Sequence, residues 1–203
     1  MKLYGAAMPA PNPRRVRMFL AEKGIDLPET PVNLREREHK SADYRAKNSL
    51  GQIPTLELDD GTTISETVAI CRYFEELHPT PPMFGTTPLE KARIDMWVRR
   101  IEFIVMSPVG NYWRHAHPFT AALLTHNKDI GESNVAAYAG ALKWLDGELA
   151  GKSFIVGDTL TMADICALST IDFATWIGLA IDPALTNLTA WHERISARPS
   201  SKV

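Results

Sequence analysis

Apolar and polar positions follow two different grammars along the chain. In the first third, short apolar runs alternate with stretches whose apolar residues recur every three or four positions. Residues 2–4 read as a strand. Residues 14–23 read as a helix, with Val16, Phe19 and Leu20 on one face and Gly24 where a helix-ending glycine belongs. A second strand is predicted at 31–34 and a short charged helix at 37–47. Strands 55–58 and 62–64 flank Asp59-Asp60-Gly61, a strong hairpin signal. A helix at 67–77 completes the order β-α-β-α-β-β-α, compatible with a small mixed sheet covered by helices.

Beyond the Pro-rich stretch His78-Pro79-Thr80-Pro81-Pro82-Met83-Phe84-Gly85, strand signals nearly vanish. Pro88 opens a long helix carrying Leu89, Ala92, Ile94, Met96, Trp97, Ile101 and Ile104. Residues 135–149 form another, with Tyr138, Leu142 and Leu145 on one face. Thr161-Met162-Ala163-Asp164 fits the capping-box pattern, with Asp in place of Glu, ahead of the apolar run 165–179. A last helix is expected over 185–197. The pattern divides the chain into an α/β domain (1–78), a linker (79–87) and an all-helical domain (88–203).

Composition changes this picture little. The 203 residues are 45% hydrophobic and 23% charged, with a net charge of −2. That balance suits a globular chain and argues against nucleic acid or an anionic membrane as partner. The N-terminus lacks the apolar run of a signal peptide, and no apolar stretch approaches a membrane span. Cys71 and Cys166 stand alone, outside any CxxC spacing. A cytoplasmic setting is therefore expected.

Three local patterns then carry a resemblance, in order: Gly51-Gln52-Ile53-Pro54-Thr55-Leu56, Ser65-Glu66-Thr67-Val68-Ala69-Ile70, and Gly157-Asp158 through Asp164-Ile165. Together with the α/β-then-α change, they resemble the cytosolic glutathione transferases, and the similarity runs from Met1 to about Pro199. Glu38-His39-Lys40, Ala46-Lys47-Asn48 and Thr87-Pro88-Leu89-Glu90-Lys91 are most similar to the fungal type-2 transferases and their bacterial relatives. The resemblance implies a thioredoxin-like N-terminal domain, an all-α C-terminal domain, glutathione as co-substrate, a role in detoxification and a homodimer.

It also implies site residues. The Ile53-Pro54 bond would be cis, so that the Ile53 main chain pairs with the cysteinyl part of glutathione like an added strand. Read alone, Pro54 is more simply an ordinary strand-starting proline. Thr67 would meet the γ-glutamyl carboxylate at a helix start and Glu66 the ammonium; simple helix capping is the plainer alternative. The glycyl carboxylate would find His39 and Lys40, with Gln52 bordering the groove, unless residues 35–40 are only a solvated charge run.

Catalysis needs the glutathione thiol as thiolate, and an ordinary thiol has a pKa of about 8.5. Most family members place a Tyr, Ser or Cys near the first helix; here the Ser or Cys position is Ala10, and Tyr4 is assigned to packing. Ala10 rules out a mixed disulfide. What remains is the helix start, with Asn12 expected as N-cap, Pro13 at the first position, and the N–H groups and guanidinium groups of Arg14 and Arg15 favouring an anion. Such a dipole is worth about 0.3–2 kcal/mol, or roughly one pKa unit at about 1.4 kcal/mol each.

The type-2 transferases are similar in lacking the hydroxyl and hold a water with a Ser and a His of the helical domain. Their Ser position becomes Gly110 here, and their His falls at Arg114 or His115. Asn12, Asn111, Arg114 and His115 are thus candidates for the sulfur or its water, against the alternative of a polar helix end. The second substrate would meet Met8, Pro9, Pro11, Asn111, Tyr112, His115 and Phe119, a set suited to a hydrophobic electrophile. His115-Ala116-His117, with no acidic or thiol partner nearby, is a poor ligand set, so no metal is expected. Asp158 and Asp164 are assigned to folding. Conjugation of glutathione to a hydrophobic electrophile leads; glutathione-dependent peroxide reduction and non-catalytic ligand binding are the alternatives that Ala10 keeps open.

Overall fold

The computed structural model describes residues 1–6 and 10–203. It separates into two compact units, one of Met1–Met83 with Pro199–Val203, the other of Phe84–Arg198. The first boundary lies between Met83 and Phe84, and the last five residues belong with the first unit.

The first unit is built on a four-stranded sheet in the order β2-β1-β3-β4. Strand β1 (Lys2–Gly5) pairs parallel with β2 (Glu29–Pro31) and antiparallel with β3 (Thr55–Glu57), which pairs antiparallel with β4 (Thr63–Ser65). The β3–β4 turn is the expected hairpin: Gly61 takes φ 84°, and Asp60 Oδ1 accepts the Thr62 N–H at 2.8 Å. Helices α1 (Pro11–Lys23), α2 (Ala42–Lys47) and α3 (Thr67–Leu77) complete the unit. Leu3, Val16, Phe19, Leu56, Ile70 and Phe74 are fully buried.

The strand expected at 31–34 lies two residues earlier, because pairing with β1 sets its register. The helix expected over 37–47 is two pieces: a 3-10 turn (Glu38–Lys40) and α2, split where the Ser41 hydroxyl accepts the Tyr44 N–H at 3.2 Å. A buried pair closes the other end of the unit. The Lys23 ammonium meets the Glu75 carboxylate and the carbonyls of His78 (2.8 Å) and Pro81, while Glu75 accepts the Met83 N–H at 2.9 Å.

The second unit is helical. Helix α4 (Pro88–Arg100) starts in a capping box of Thr87 and Glu90, passes through a π-helical turn (Ile101–Met106) and continues as α5 (Ser107–His115). Helices α6 (Lys128–Glu148), α7 (Met162–Trp176) and α8 (Thr186–Ser196) follow. Helix α6 starts seven residues earlier than its apolar periodicity indicates, because Asn127 caps it. The capping box at Thr161 is present, and Asp164, with no exposed surface, accepts four hydrogen bonds. Burial pushes its carboxyl pKa up, and the four donors offset part of that rise. Among the described residues, no helix is long and apolar enough to cross a membrane.

Candidate functional site

The segment 51–55 is held from several directions. Gly51 sits at φ 56°, and a Cβ there would lie 2.5 Å from the His39 carbonyl oxygen, so only glycine fits. The Ile53-Pro54 peptide is cis, as the resemblance implies. Ile53 packs on the cluster of Tyr4, Val32 and Tyr44. The carbonyl of Gln52, just upstream, accepts the Tyr44 hydroxyl and Asn48 Nδ2, each at 2.9 Å. Thr55 Oγ1 lies 3.0 Å from the Tyr44 hydroxyl and 3.3 Å from Asn48 Nδ2. Burial pushes the Tyr44 hydroxyl pKa up. Among the described residues the Ile53 N–H has no acceptor.

Tyr44, Asn48 and Thr55 are not among the sequence-predicted site residues. Tyr44 and Asn48 are one helical turn apart, and Thr55 follows the cis-proline directly. That spacing alone could not reveal that all three converge on one carbonyl.

Glu66 and Thr67 stand together at the start of α3. Glu66 is the N-cap residue, with φ 67° and ψ 121°, and its side chain makes no capping bond. A non-glycine residue there costs about 1–3 kcal/mol, and such strain gathers at ligand sites. The Glu66 side chain is exposed. Thr67, buried, opens an eleven-residue helix whose first N–H groups lack intrahelical acceptors.

Lys40 bridges two parts of this unit. Its ammonium donates to the carbonyls of Leu50 (3.2 Å) and Gly51, which leaves an ammonium one further N–H. Burial, then the charges of Arg45 and Arg37, lower its pKa. His39 is half-buried, and its Nδ1 is shut away from solvent without a partner. Burial, then Lys40 and Arg37, lower its pKa, so its ring favours the neutral form.

The start of α1 differs from expectation. The N-cap is Ala10, not Asn12, and no side chain caps the helix. Pro11, Asn12 and Pro13 form the first turn, and two of the three lack an N–H. The N–H groups of Arg14 and Arg15 fall inside the helical ladder by this register. Both arginines are also buried, at 5% and 1% exposure, and Arg14 Nη2 donates to the Ser201 carbonyl at 2.9 Å. The helix begins early because proline at its first position is already set to helical φ. Tyr4 packs, as assigned, and its hydroxyl donates to Glu57 at 2.9 Å. Met8 and Pro9 lie outside the described residues; Pro11 is half-buried and Asn12 exposed.

In the second unit, Asn111 faces α6, where its Nδ2 donates to Asn134 Oδ1 at 3.3 Å. Arg114 is exposed in the last turn of α5; His115 is half-buried, with Nδ1 enclosed and unpartnered. Tyr112 meets the His117 ring at 6.0 Å between centroids. Phe119, 56% exposed, stacks on Trp113 at 5.4 Å, and Trp113 also contacts Phe173 (5.3 Å) and Trp176 (5.9 Å). Trp176 is itself 53% exposed. The sequence reading names Tyr112 and Phe119 but misses Trp113, Phe173 and Trp176, which meet only through α5–α7 packing. Among the described residues no group of three His, Cys, Asp or Glu side chains is placed to hold a metal ion.

Comparison with known proteins agrees with this fold. The family profile for the glutathione S-transferase N-terminal domain matches residues 10–77, and that for the C-terminal domain matches residues 112–199. Glutathione S-transferase 2 of Saccharomyces cerevisiae is 37% identical over 196 residues, covering 95% of this chain and 84% of its own. The crystal structure of Gtt2 from the same yeast superposes with a TM-score of 0.93 at 37% identity, over 100% of this chain and 99% of that one. A glutathione S-transferase domain-containing protein of Marinobacter aquaeolei VT8 matches with a TM-score of 0.92 at 37% identity, over 98% and 99% of the two chains.

Proposed function

Because this chain belongs to the glutathione S-transferase family, we propose that it conjugates glutathione to a hydrophobic electrophile. The observation that carries this reading is the segment at the cis Ile53-Pro54 peptide, with its unpaired Ile53 N–H, in the same unit as the strained, uncapped Glu66. The Ile53 main chain pairs with the cysteinyl unit. Thr67 and the start of α3 take the γ-glutamyl carboxylate, and Glu66 takes its ammonium. Lys40 offers its remaining N–H to the glycyl carboxylate, with neutral His39 and Gln52 beside it. In the chemical step the glutathione thiol gives its proton to solvent, the thiolate attacks the electrophilic carbon, and the leaving group departs with the electron pair of its bond.

Asn12, Arg114 and His115 are the candidates for lowering the thiol pKa. With Pro11 and Pro13 in the first turn, Asn12 supplies an N–H there, and the helix dipole adds about 0.3–2 kcal/mol. The exposed rings of Phe119 and Trp176, around half-buried Trp113 and with Tyr112, suit a planar hydrophobic electrophile. Large apolar side chains at Met96, Phe103 and Ile104 are exposed, which supports a homodimer that covers them.

Calorimetric titration with glutathione, then a conjugation assay with an aromatic halide, tests the reading. Micromolar to millimolar binding with turnover is expected; no binding would overturn the site assignment. The bound thiol, followed by its ultraviolet absorbance against pH, should titrate below 8.5 and shift upward in at least one of Asn12→Ala, Arg114→Ala and His115→Ala. The thin donor set at α1, with Ala10 carrying no hydroxyl, favours a second reading: a glutathione-binding protein without transferase turnover. Binding without turnover on halides or hydroperoxides would select it.

A further inference from the structure

The three buried side chains around Gln52 form a closed hydrogen-bond ring. Tyr44, Asn48 and Thr55 are 4%, 6% and 0% exposed, so every polar atom they carry needs a partner within the protein. One arrangement satisfies them all. The Asn48 amide gives one hydrogen to the Gln52 carbonyl and the other to Thr55 Oγ1. The Thr55 hydroxyl donates to the Tyr44 oxygen, and the Tyr44 hydroxyl donates to the Gln52 carbonyl. That carbonyl thus receives two donors at 2.9 Å, and the Thr55 hydroxyl lies a further 3.4 Å from it, so all three side chains converge on the one oxygen.

Fixing this carbonyl fixes more than itself. The Gln52–Ile53 peptide is planar and trans, so its N–H points opposite to its C=O. With the carbonyl drawn inward to the ring, the Ile53 N–H is turned the other way, where no described residue accepts it. Without the ring, the plane is free to rotate about its flanking single bonds. The same place would then present an acceptor instead of a donor.

We propose that Tyr44, Asn48 and Thr55 are positioning residues for glutathione: by clamping the Gln52 carbonyl they aim the Ile53 N–H at the cysteinyl carbonyl of the bound peptide. This rests on the reading of the Ile53 main chain as the glutathione-pairing edge. None of the three touches glutathione; they act through one peptide plane. Their contribution is preorganisation, which raises affinity by removing an ordering cost rather than by adding a contact.

The test compares Tyr44→Phe, Thr55→Val and Thr55→Ser with the unaltered protein. Tyr44→Phe and Thr55→Val each remove one hydroxyl at nearly constant volume, and Thr55→Ser keeps the hydroxyl while losing one methyl. The dissociation constant for glutathione is measured by calorimetry, the KM for glutathione and for an aromatic halide by steady-state assay, and folding by thermal unfolding. Tyr44→Phe and Thr55→Val are expected to weaken glutathione binding about fivefold, as loss of one clamping bond implies. Thr55→Ser, which keeps the hydroxyl, should restore it, and the KM for the halide should not follow. A purely structural ring would lower the melting temperature and leave the affinity of the folded protein unchanged.

Unchanged affinity in folded Tyr44→Phe and Thr55→Val overturns the proposal while leaving the site reading intact. So does a Thr55→Ser variant as weak as Thr55→Val, because packing would then be the cause. Failure of the unaltered protein to bind glutathione removes the site reading itself, and the proposal with it. If Tyr44→Phe does not fold, the Thr55 pair decides.

Discussion

Replacing Asp164 by Asn removes one charge at nearly constant shape, and the surroundings of Asp164 set the cost. Oδ1 accepts the Ile155 N–H and Trp191 Nε1–H, both at 2.9 Å. Oδ2 accepts the Thr161 N–H and hydroxyl, both at 3.0 Å. A carboxamide has only one acceptor oxygen. Turned one way, its NH2 confronts two fixed N–H donors. Turned the other, it faces Thr161, whose hydroxyl can rotate to accept but whose N–H cannot. The second orientation is cheaper and orphans one buried N–H, a loss of about 1–3 kcal/mol. The remaining two bonds also lose their charge-assisted character, roughly 1 kcal/mol more. A total of about 3 kcal/mol, at about 2–4 °C per kcal/mol for a chain of this size, lowers the melting temperature by about 6–12 °C. Thermal and urea unfolding followed by circular dichroism, with Trp191 fluorescence as a local probe, measures it. Asp164→Ala strands all four donors and should fall further. A drop under about 2 °C for Asn, or an Ala variant no worse than Asn, would refute the account of this carboxylate.

Other predictions concern the first unit. Lys40→Met should weaken glutathione binding about tenfold, the worth of a charge-assisted bond. A glutathione ester blocked at the glycyl carboxylate should bind the variant and the unaltered protein alike; a difference that persists with the ester assigns Lys40 to holding the Gly51 loop instead. Glu66→Gln keeps the backbone and removes the charge, so glutathione affinity should fall severalfold at an unchanged melting temperature. Calorimetry paired with thermal unfolding separates those two readouts. Hydrogen bonds from Lys47, then Tyr4, hold the Glu57 carboxyl at about 2, against an ordinary 4.5. Because the folded value is the lower one, what Glu57 adds to stability is present above pH 4.5 and lost as pH falls through about 2. Its carboxyl-carbon NMR titration should show that midpoint and move upward in Lys47→Ala.

Much of this molecule is local in origin and was legible along the chain. Apolar spacing around Val16, Phe19 and Leu20 marks α1, and Asp59-Asp60-Gly61 marks the hairpin, because turn and helix preferences act over a few residues. The capping box at Thr161–Asp164 is local too. So is the change of grammar at the Pro-rich stretch, where Met83 and Phe84 separate the two units. The motif at Ile53-Pro54 pointed to the cis peptide because a particular ligand geometry goes with that sequence across a family.

Tertiary structure decided most of the rest. The sequence favoured Asn12 as the cap and the side chains of Arg14 and Arg15 as anion partners. Proline at position 11 moved the helix start, and packing turned both arginines inward, Arg14 onto the Ser201 carbonyl 187 residues away. The ring of Tyr44, Asn48 and Thr55 joins a helix to a strand across a cis-proline. The stack of Trp113 on Phe119, with Phe173 and Trp176 behind it, joins segments some 60 residues apart. Such groupings depend on where elements pack rather than on what each prefers alone, and no periodicity along the chain records them.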